Sequence, residues 1–358
     1  MTRQDKEELI EQLNQYKDLG ISEQIDFQKY YIYSIIAHST AIEGSTVTEV
    51  EAQLLFDEGI TSSKRTIQEQ MMNLDLKTAY EYGMKWIQRH EPVTVDWLIS
   101  LAAKVMKHTG SEYNTMTGSF SAARGELRKL NVSAGPGGPS YISYQKVPSR
   151  LAAFCEELNK RRISVDKTDP YALYELSFWA HYELVTIHPW ADGNGRTSRL
   201  LMNLLQMEYD LLPVRVLKGD KMDYIQALVD SRNNEDISIF VESMTRLHIE
   251  HLRNDIDKFL KTTEERDREG RKETAQENVA DNVAEKLTDR QRIIVTLIEK
   301  GVADDAAQNV AVNTKYLSEK LNVNRKTIQR DIAQLLERNL ILWVGSDKTG
   351  HWEIVNQE

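Results

Sequence analysis

The chemistry of this chain concentrates between residues 188 and 199, which read His-Pro-Trp-Ala-Asp-Gly-Asn-Gly-Arg-Thr-Ser-Arg. His188 is the one side chain there that can accept a proton near neutral pH. Asp192 supplies a hard carboxylate oxygen, the ligand type magnesium takes when it bridges to phosphates. Gly193 and Gly195 flank Asn194 and permit the tight dihedrals and close backbone approach that a bound group demands. Arg196 and Arg199, three apart on a helix face, present two guanidinium forks suited to phosphate. The start of that helix adds unpaired N–H groups and a partial positive charge, a natural anion site. A base, a metal ligand, an anion nest and two arginines in one short stretch predict phosphate chemistry.

Simpler readings of the stretch fail on spacing. Counted from Asp192, the calcium-loop positions five, six and twelve fall on Arg196, Thr197 and Asn203, the wrong residues for an EF-hand. A P-loop needs Gly followed by Lys and Ser/Thr at fixed spacing, and none is present. A plain glycine-rich helix start would not need His188, Asp192 and both arginines together.

Two helices must position this loop. Tyr171 to Ile187 is an apolar helical run that Pro189 stops, and Leu200 to Leu205 carries apolar residues at helical spacing. The loop resembles the signature of the Fic family, His-x-Phe-x-(Asp/Glu)-Gly-Asn-Gly-Arg-x-x-Arg, with Trp190 in place of Phe. A second string, Ser39-Thr40-Ala41-Ile42-Glu43-Gly44, ends the helix predicted over 25–42 and resembles the Fic inhibition motif, (Ser/Thr)-x-x-x-Glu-(Gly/Asn). Gly44 is suited to the residue after a helix end, Ser39 and Glu43 share a face, and the helix dipole disfavours an acid in the last turn. The resemblance implies that Glu43 pairs with Arg199 and blocks seating of a γ-phosphate, the arrangement called class II.

The same resemblance implies a fold that is mainly α, an all-helical Fic core with a small β-hairpin flap. The flap would be formed by 129–147, where Asn131-Val132 and Tyr141-Ile142 flank the turn Gly135-Pro136-Gly137-Gly138-Pro139. In Fic proteins a flap here holds the backbone of a target segment by strand pairing. Arg124-Gly125-Glu126-Leu127-Arg128 also resembles the family, although arginines near a turn are more often solvated than bound to ATP. Tyr224 falls where Fic proteins carry an aromatic near the nucleobase. The residue pattern alone also admits a core tyrosine beside Ile225 and Leu228. His181, Trp179 and Trp190 are expected to be packed, not catalytic.

Beyond the core, 1–92 is expected to form an N-terminal helical region carrying the inhibitory helix, and 93–252 the catalytic core. Thr94 is the predicted cap of a helix beginning at Val95. Residues 253–285 are charged and poor in large apolar residues, the pattern of a linker with partial helical character. Residues 286–358 pattern as three helices and a hairpin, an α+β arrangement that resembles a winged helix-turn-helix. Arg325, Lys326, Thr327 and Arg330 lie where such domains contact DNA. That segment holds 11 Lys/Arg against 10 Asp/Glu, so its positive charge is local, and DNA contact and protein docking stay open.

The whole chain, 358 residues with a net charge of −10, gives no bulk electrostatic reason to expect nucleic acid. Its single cysteine, Cys155, excludes an intrachain disulfide and fits a reducing compartment. No apolar run is long enough for a membrane helix and the N-terminus lacks a signal-peptide core, so the expectation is a cytoplasmic protein.

The resemblance then implies a function: transfer of AMP from ATP, with Mg²⁺, to a Ser, Thr or Tyr hydroxyl of a protein, possibly the chain itself. His188 would be the base and Asp192 the metal ligand. Gly193, Asn194, Gly195, Arg196 and Arg199 would hold phosphates, with Tyr224 near the base. Glu43 and Ser39 would restrain the site, and a homodimer is expected by resemblance alone. The alternative is a DNA-binding regulator whose Fic core senses a nucleotide without turnover, which the intact His188 argues against.

Overall fold

Helical periodicity becomes helix along most of the chain. A computed structural model describes residues 3–135, 138–284, 287–301, 313–344 and 351–355. The chain divides into two compact units, Met1–Thr262 and Thr263–Glu358.

The first unit opens with helices α1 (Arg3–Asp18), α2 (Phe27–Ile42), α3 (Glu49–Glu58), α4 (Ile67–Ile87) and α5 (Val95–Val105). Their starts follow local capping chemistry: Thr48 and Thr66 form capping boxes with Glu51 and Glu69, and Thr94 accepts from Trp97 N as expected. A short antiparallel hairpin follows, β1 (Glu112–Thr115) and β2 (Gly118–Ser121), registered Glu112↔Ser121 and Thr115↔Gly118. Next come α6 (Val147–Ser164), α7 (Pro170–Ile187), α8 (Asn194–Glu208), α9 (Lys221–Asn233) and α10 (Ser238–Ala284). The segment read as a charged linker is thus helical as far as Ala284.

Helices α7 and α8 are buried nearly all round because they lie between two cores. On one side Leu176, Leu184, Leu200 and Leu204 pack with Tyr31, Ile35, Leu76, Tyr80 and Leu101. On the other Tyr174, Phe178 and Met202 pack with Val214, Tyr224 and Phe240. Residues from both sides of the expected 92/93 boundary share the first core. The polar residues of α8 pin the chain that follows it. Asn203 Nδ2 donates to Val214 O (2.8 Å), while Gln206 Oε1 accepts from Val214 N (2.8 Å).

The flap differs from expectation. Among the described residues of 131–142 there is no named strand pair; one bridge, Ser133↔Ser140, and the bonds Tyr141 N→Val132 O and Ala134 N→Pro139 O (both 3.0 Å) join its two arms. The cause is Arg128, whose guanidinium takes the carbonyls of Leu130 and Ile142 and removes them from any ladder. Pro139 also lacks the N–H a strand would use. Pro136 and Gly137, at the predicted turn, lie outside the described residues.

The second unit contains α11 (Asp289–Gly301), α12 (Thr314–Lys320), α13 (Arg325–Glu337) and the antiparallel pair β3 (Ile341–Val344) and β4 (His351–Ile354). Ile294, Ile298, Leu317, Ile328, Ile332, Leu335 and Ile341 form its core. Helix α13 begins at Arg325, because Asn324 caps it and accepts from Lys326 N. The hairpin tip, 345–350, lies outside the described residues. Among the described residues no helix is long and apolar enough to cross a membrane.

Candidate active site

Helix α7 ends at His188 in a left-handed conformation (φ 53°, ψ 61°), which is strained for a non-glycine residue and turns the chain sharply into the loop. Its Nδ1 lies 3.3 Å from Val185 O. Only a donor satisfies a carbonyl, so Nδ1 carries the hydrogen and Nε2 keeps its lone pair. Burial pushes the imidazole down to about 4, with Arg128 and Arg232 acting the same way, against the Val185 hydrogen bond and Glu43. His188 is therefore neutral at pH 7 and able to accept a proton.

The loop between His188 and α8 is closed by its own polar groups. Asn194 Oδ1 accepts from Trp190 N (3.1 Å) and its Nδ2 donates to Trp190 O (2.9 Å). Trp190 is buried, and its indole N–H donates to Gly125 O (2.8 Å), a bond that phenylalanine could not make. Gly193 sits before α8 at φ 83°, where a Cβ would also strike the Met106 side chain. Asp192 Oδ1 accepts from Gly193 N (2.6 Å), and the Asp192 side chain is 55 % exposed.

The two arginines are in opposite states. Arg196 is buried, and its nearest acid is Asp192 at 3.8 Å. It donates only to Met106 Sδ (3.0 Å) and, at 3.5 Å, to Val105 O; its Nε has no partner among the described residues. A buried guanidinium so poorly satisfied is a site waiting for an anion. Arg199 is saturated: Nε donates to Ser39 Oγ (2.9 Å), one terminal nitrogen to Ser39 O (3.0 Å) and Glu43 Oε1 (2.6 Å), the other to Tyr224 Oη (3.4 Å). Burial opposes the Arg199 charge, but Tyr224 and Glu43 outweigh it and hold its pKa above the ordinary value. Burial likewise opposes the Glu43 charge, and Arg199 overcomes it and lowers the Glu43 pKa. The Arg199 side chain is 4 % exposed and that of Glu43 33 % exposed, so only the carboxylate side of the pair meets solvent. A Cβ on Gly195 would lie 2.6 Å from Glu43 Oε1. The carboxylate thus occupies the anion position at the start of α8, against the residue without a side chain.

Other expected site residues fall differently. Ser39 is buried and bonded to Arg199. Tyr224 is a core residue on α9, bonded to Arg199 and to His181 Nε2 (2.9 Å), so its ring is not a free stacking face as the nucleobase reading expects. His181 is buried, as expected. Arg124 pairs with Glu112 and Glu126 at the surface. Arg325, Lys326 and Arg330 are exposed on α13, and Thr327 is half-buried.

Three residues that matter escaped sequence reasoning. Arg128 is buried and donates to His188 O (2.7 Å), Leu130 O (2.8 Å) and Ile142 O (2.6 Å), tying the loop before α6 to the base. Tyr141 stacks on His188, and Arg232 lies over Tyr141. The string from 124 to 128 hinted at Arg128; nothing local marked the other two.

Among the described residues no three His, Cys, Asp or Glu side chains cluster as a metal cage. Magnesium needs none: one carboxylate suffices when phosphates supply the other oxygens, and Asp192 fits, being exposed beside the unsatisfied Arg196.

Buried helices thus present a neutral base at one end of an anion cradle, the geometry of a phosphoryl or nucleotidyl transfer site. The chain carries a Fic domain: residues 92–206 match the Fic/DOC family. A protein adenylyltransferase Fic of Nematostella vectensis is 30% identical over 214 residues, covering 59% of this chain and 45% of its own length. One of Drosophila erecta is 31% identical over 217 residues, 60% of this chain and 40% of its own. The chain therefore spans under half the length of these relatives. A Fic family protein from Desulfovibrio desulfuricans G20 shares the fold over 100% of this chain and 98% of its own (TM-score 0.59, 18% identity). A Fic domain protein from Bacteroides thetaiotaomicron covers 70% of this chain and 97% of its own (TM-score 0.57, 19% identity).

Proposed function

We propose that this chain is a protein adenylyltransferase that moves AMP from ATP to the hydroxyl of a Ser, Thr or Tyr side chain, and that it rests in a self-restrained state. The observation that carries the reading is the pairing of a neutral His188, with Nε2 free, and a buried, unsatisfied Arg196 at the start of α8. His188 Nε2 takes the proton of the incoming hydroxyl as its oxygen attacks the α-phosphorus, and pyrophosphate leaves. Arg196 and the backbone of Gly193, Asn194 and Gly195 hold the phosphates and the charge that develops on them. Asp192 is the side chain that would hold Mg²⁺, which when bound neutralises phosphate charge.

Restraint follows from anion competition. Glu43 takes the guanidinium of Arg199 and the space above Gly195, so a γ-phosphate and Glu43 cannot both be seated. A target segment docks along 129–147. The relatives named above are adenylyltransferases, which supports AMP as the group transferred.

Incubation of Glu43→Gly with ATP and Mg²⁺, then peptide mass spectrometry, should find AMP esters on hydroxyl side chains. Modification by another nucleotide and not by ATP would contradict the assignment.

The second unit supports a further role. Arg325, Lys326 and Arg330 stand exposed at the start of α13, the position that contacts DNA in a winged helix. We propose that this face binds nucleic acid or a partner protein alongside the transferase; a sensor without turnover would have no use for a base.

A further inference from the structure

The 129–147 segment does more at the site than border it. The Tyr141 ring lies 3.9 Å from the His188 ring, centroid to centroid, with 17° between their planes. Its own ring carries the Arg232 guanidinium at 4.8 Å. Imidazole, phenol and guanidinium come from three separate places: the end of α7, the flap loop and α9. Helix α9 also supplies Tyr224, eight residues before Arg232 and about 80° round the helix from it, which bonds Arg199. One rigid helix therefore braces both the restrained arginine and the residue that covers the base.

We infer that Tyr141, backed by Arg232, is a positioning residue for the His188 base. His188 needs it because its anchoring is otherwise thin. The 3.3 Å contact from Nδ1 to Val185 O is long, and the residue sits in a strained left-handed conformation. A parallel stack fixes the plane of the imidazole without using either nitrogen, so Nε2 stays free to take a proton. The Arg232 cation over the far face of the phenol strengthens that ring's hold on its place. The inference rests on the transferase reading for its consequence, but the geometry it asserts can be read without turnover.

The charged and titratable groups facing His188 are Arg128 from the loop before the flap, Arg232 from α9 and Glu43 from the end of α2. The variants below leave Arg128 and Glu43 in place for the spectroscopic measurement.

The test is two-bond proton–nitrogen NMR on full-length protein labelled with ¹⁵N-histidine, with His188 assigned by its loss in His188→Gln. In the unaltered chain His188 should show one tautomer, protonated at Nδ1. Tyr141→Ala should move both ring nitrogens toward the averaged values of a free imidazole. Tyr141→Phe keeps the ring and should restore the single tautomer, and Arg232→Gln should give a smaller shift in the same direction. In the Glu43→Gly background, Tyr141→Ala should lower kcat about tenfold with KM for ATP unchanged, and Tyr141→Phe should recover most of the loss. Nitrogen shifts that do not move in Tyr141→Ala overturn the inference, as does a rise in kcat, which would make Tyr141 a plug. If the shifts move as expected and Glu43→Gly transfers nothing, the positioning stands and the transferase reading is the part that fails.

Discussion

His188 is a histidine whose surroundings decide its chemistry. Burial holds its pKa near 4 against an ordinary 6.5, so it stays a neutral base across the neutral range. The acid limb of kcat/KM in the Glu43→Gly background should accordingly lie well below pH 6.5; a limb at 6.5 or above would show that burial does not govern the base. The same shift makes a stability statement. Between the two values the unfolded chain binds a proton that the folded chain does not. The contribution of the buried imidazole is therefore complete above about pH 6.5 and fades as pH falls toward 4. His181 and His248, pushed down to about 3 by burial, act in the same direction. Denaturant midpoints should fall steadily from pH 6.5 downward. Of this, the sequence singled out His188 as the candidate base, because His, Asp, Gly and Arg at those spacings serve few other purposes. It could not show which nitrogen is free, since Val185 O enters only once α7 is built.

At the scale of elements, one arginine does what a β-ladder was expected to do. Arg128 takes three carbonyls, from His188, Leu130 and Ile142, and so ties the catalytic loop to both arms of the flap. Lysine has the charge but a single donor nitrogen, and cannot span three carbonyls that here are bonded by Nε and the two terminal nitrogens separately. Arg128→Lys should cost about 2–3 kcal/mol, measured as a lower urea midpoint, and should slow transfer. An unchanged midpoint would show that water replaces the guanidinium there. Helix existence was legible because long apolar periods and a threonine cap act locally: Thr94 starts α5 in the structure as expected. The flap is shorter than its strand-like residues Val132 and Tyr141-Ile142 suggest, because Pro139 lacks a donor and the nearby Arg128 takes the carbonyls of Leu130 and Ile142. Glu43 and Arg199 were legible as a pair only by resemblance, since 156 positions separate them.

For the whole molecule, the chain joins a unit that carries the proposed transfer site to one that exposes Arg325, Lys326 and Arg330 on α13. If α13 faces nucleic acid, Arg325→Glu with Lys326→Glu should abolish retention on a pool of genomic DNA fragments at low salt, and leave AMP transfer by the first unit intact. Retention that is unchanged would assign that face to protein docking. The central claim, a competent site held back by one carboxylate, is tested most directly by following label from α-labelled ATP into protein. Three forms are compared with Mg²⁺ present: the unaltered chain, Glu43→Gly, and Glu43→Gly with His188→Ala. The account predicts little label in the first, at least about tenfold more in the second as the γ-phosphate gains Arg199, and none above background in the third. Equal labelling of the unaltered chain and Glu43→Gly would contradict restraint by Glu43, and label that survives the loss of His188 would contradict its role as the base.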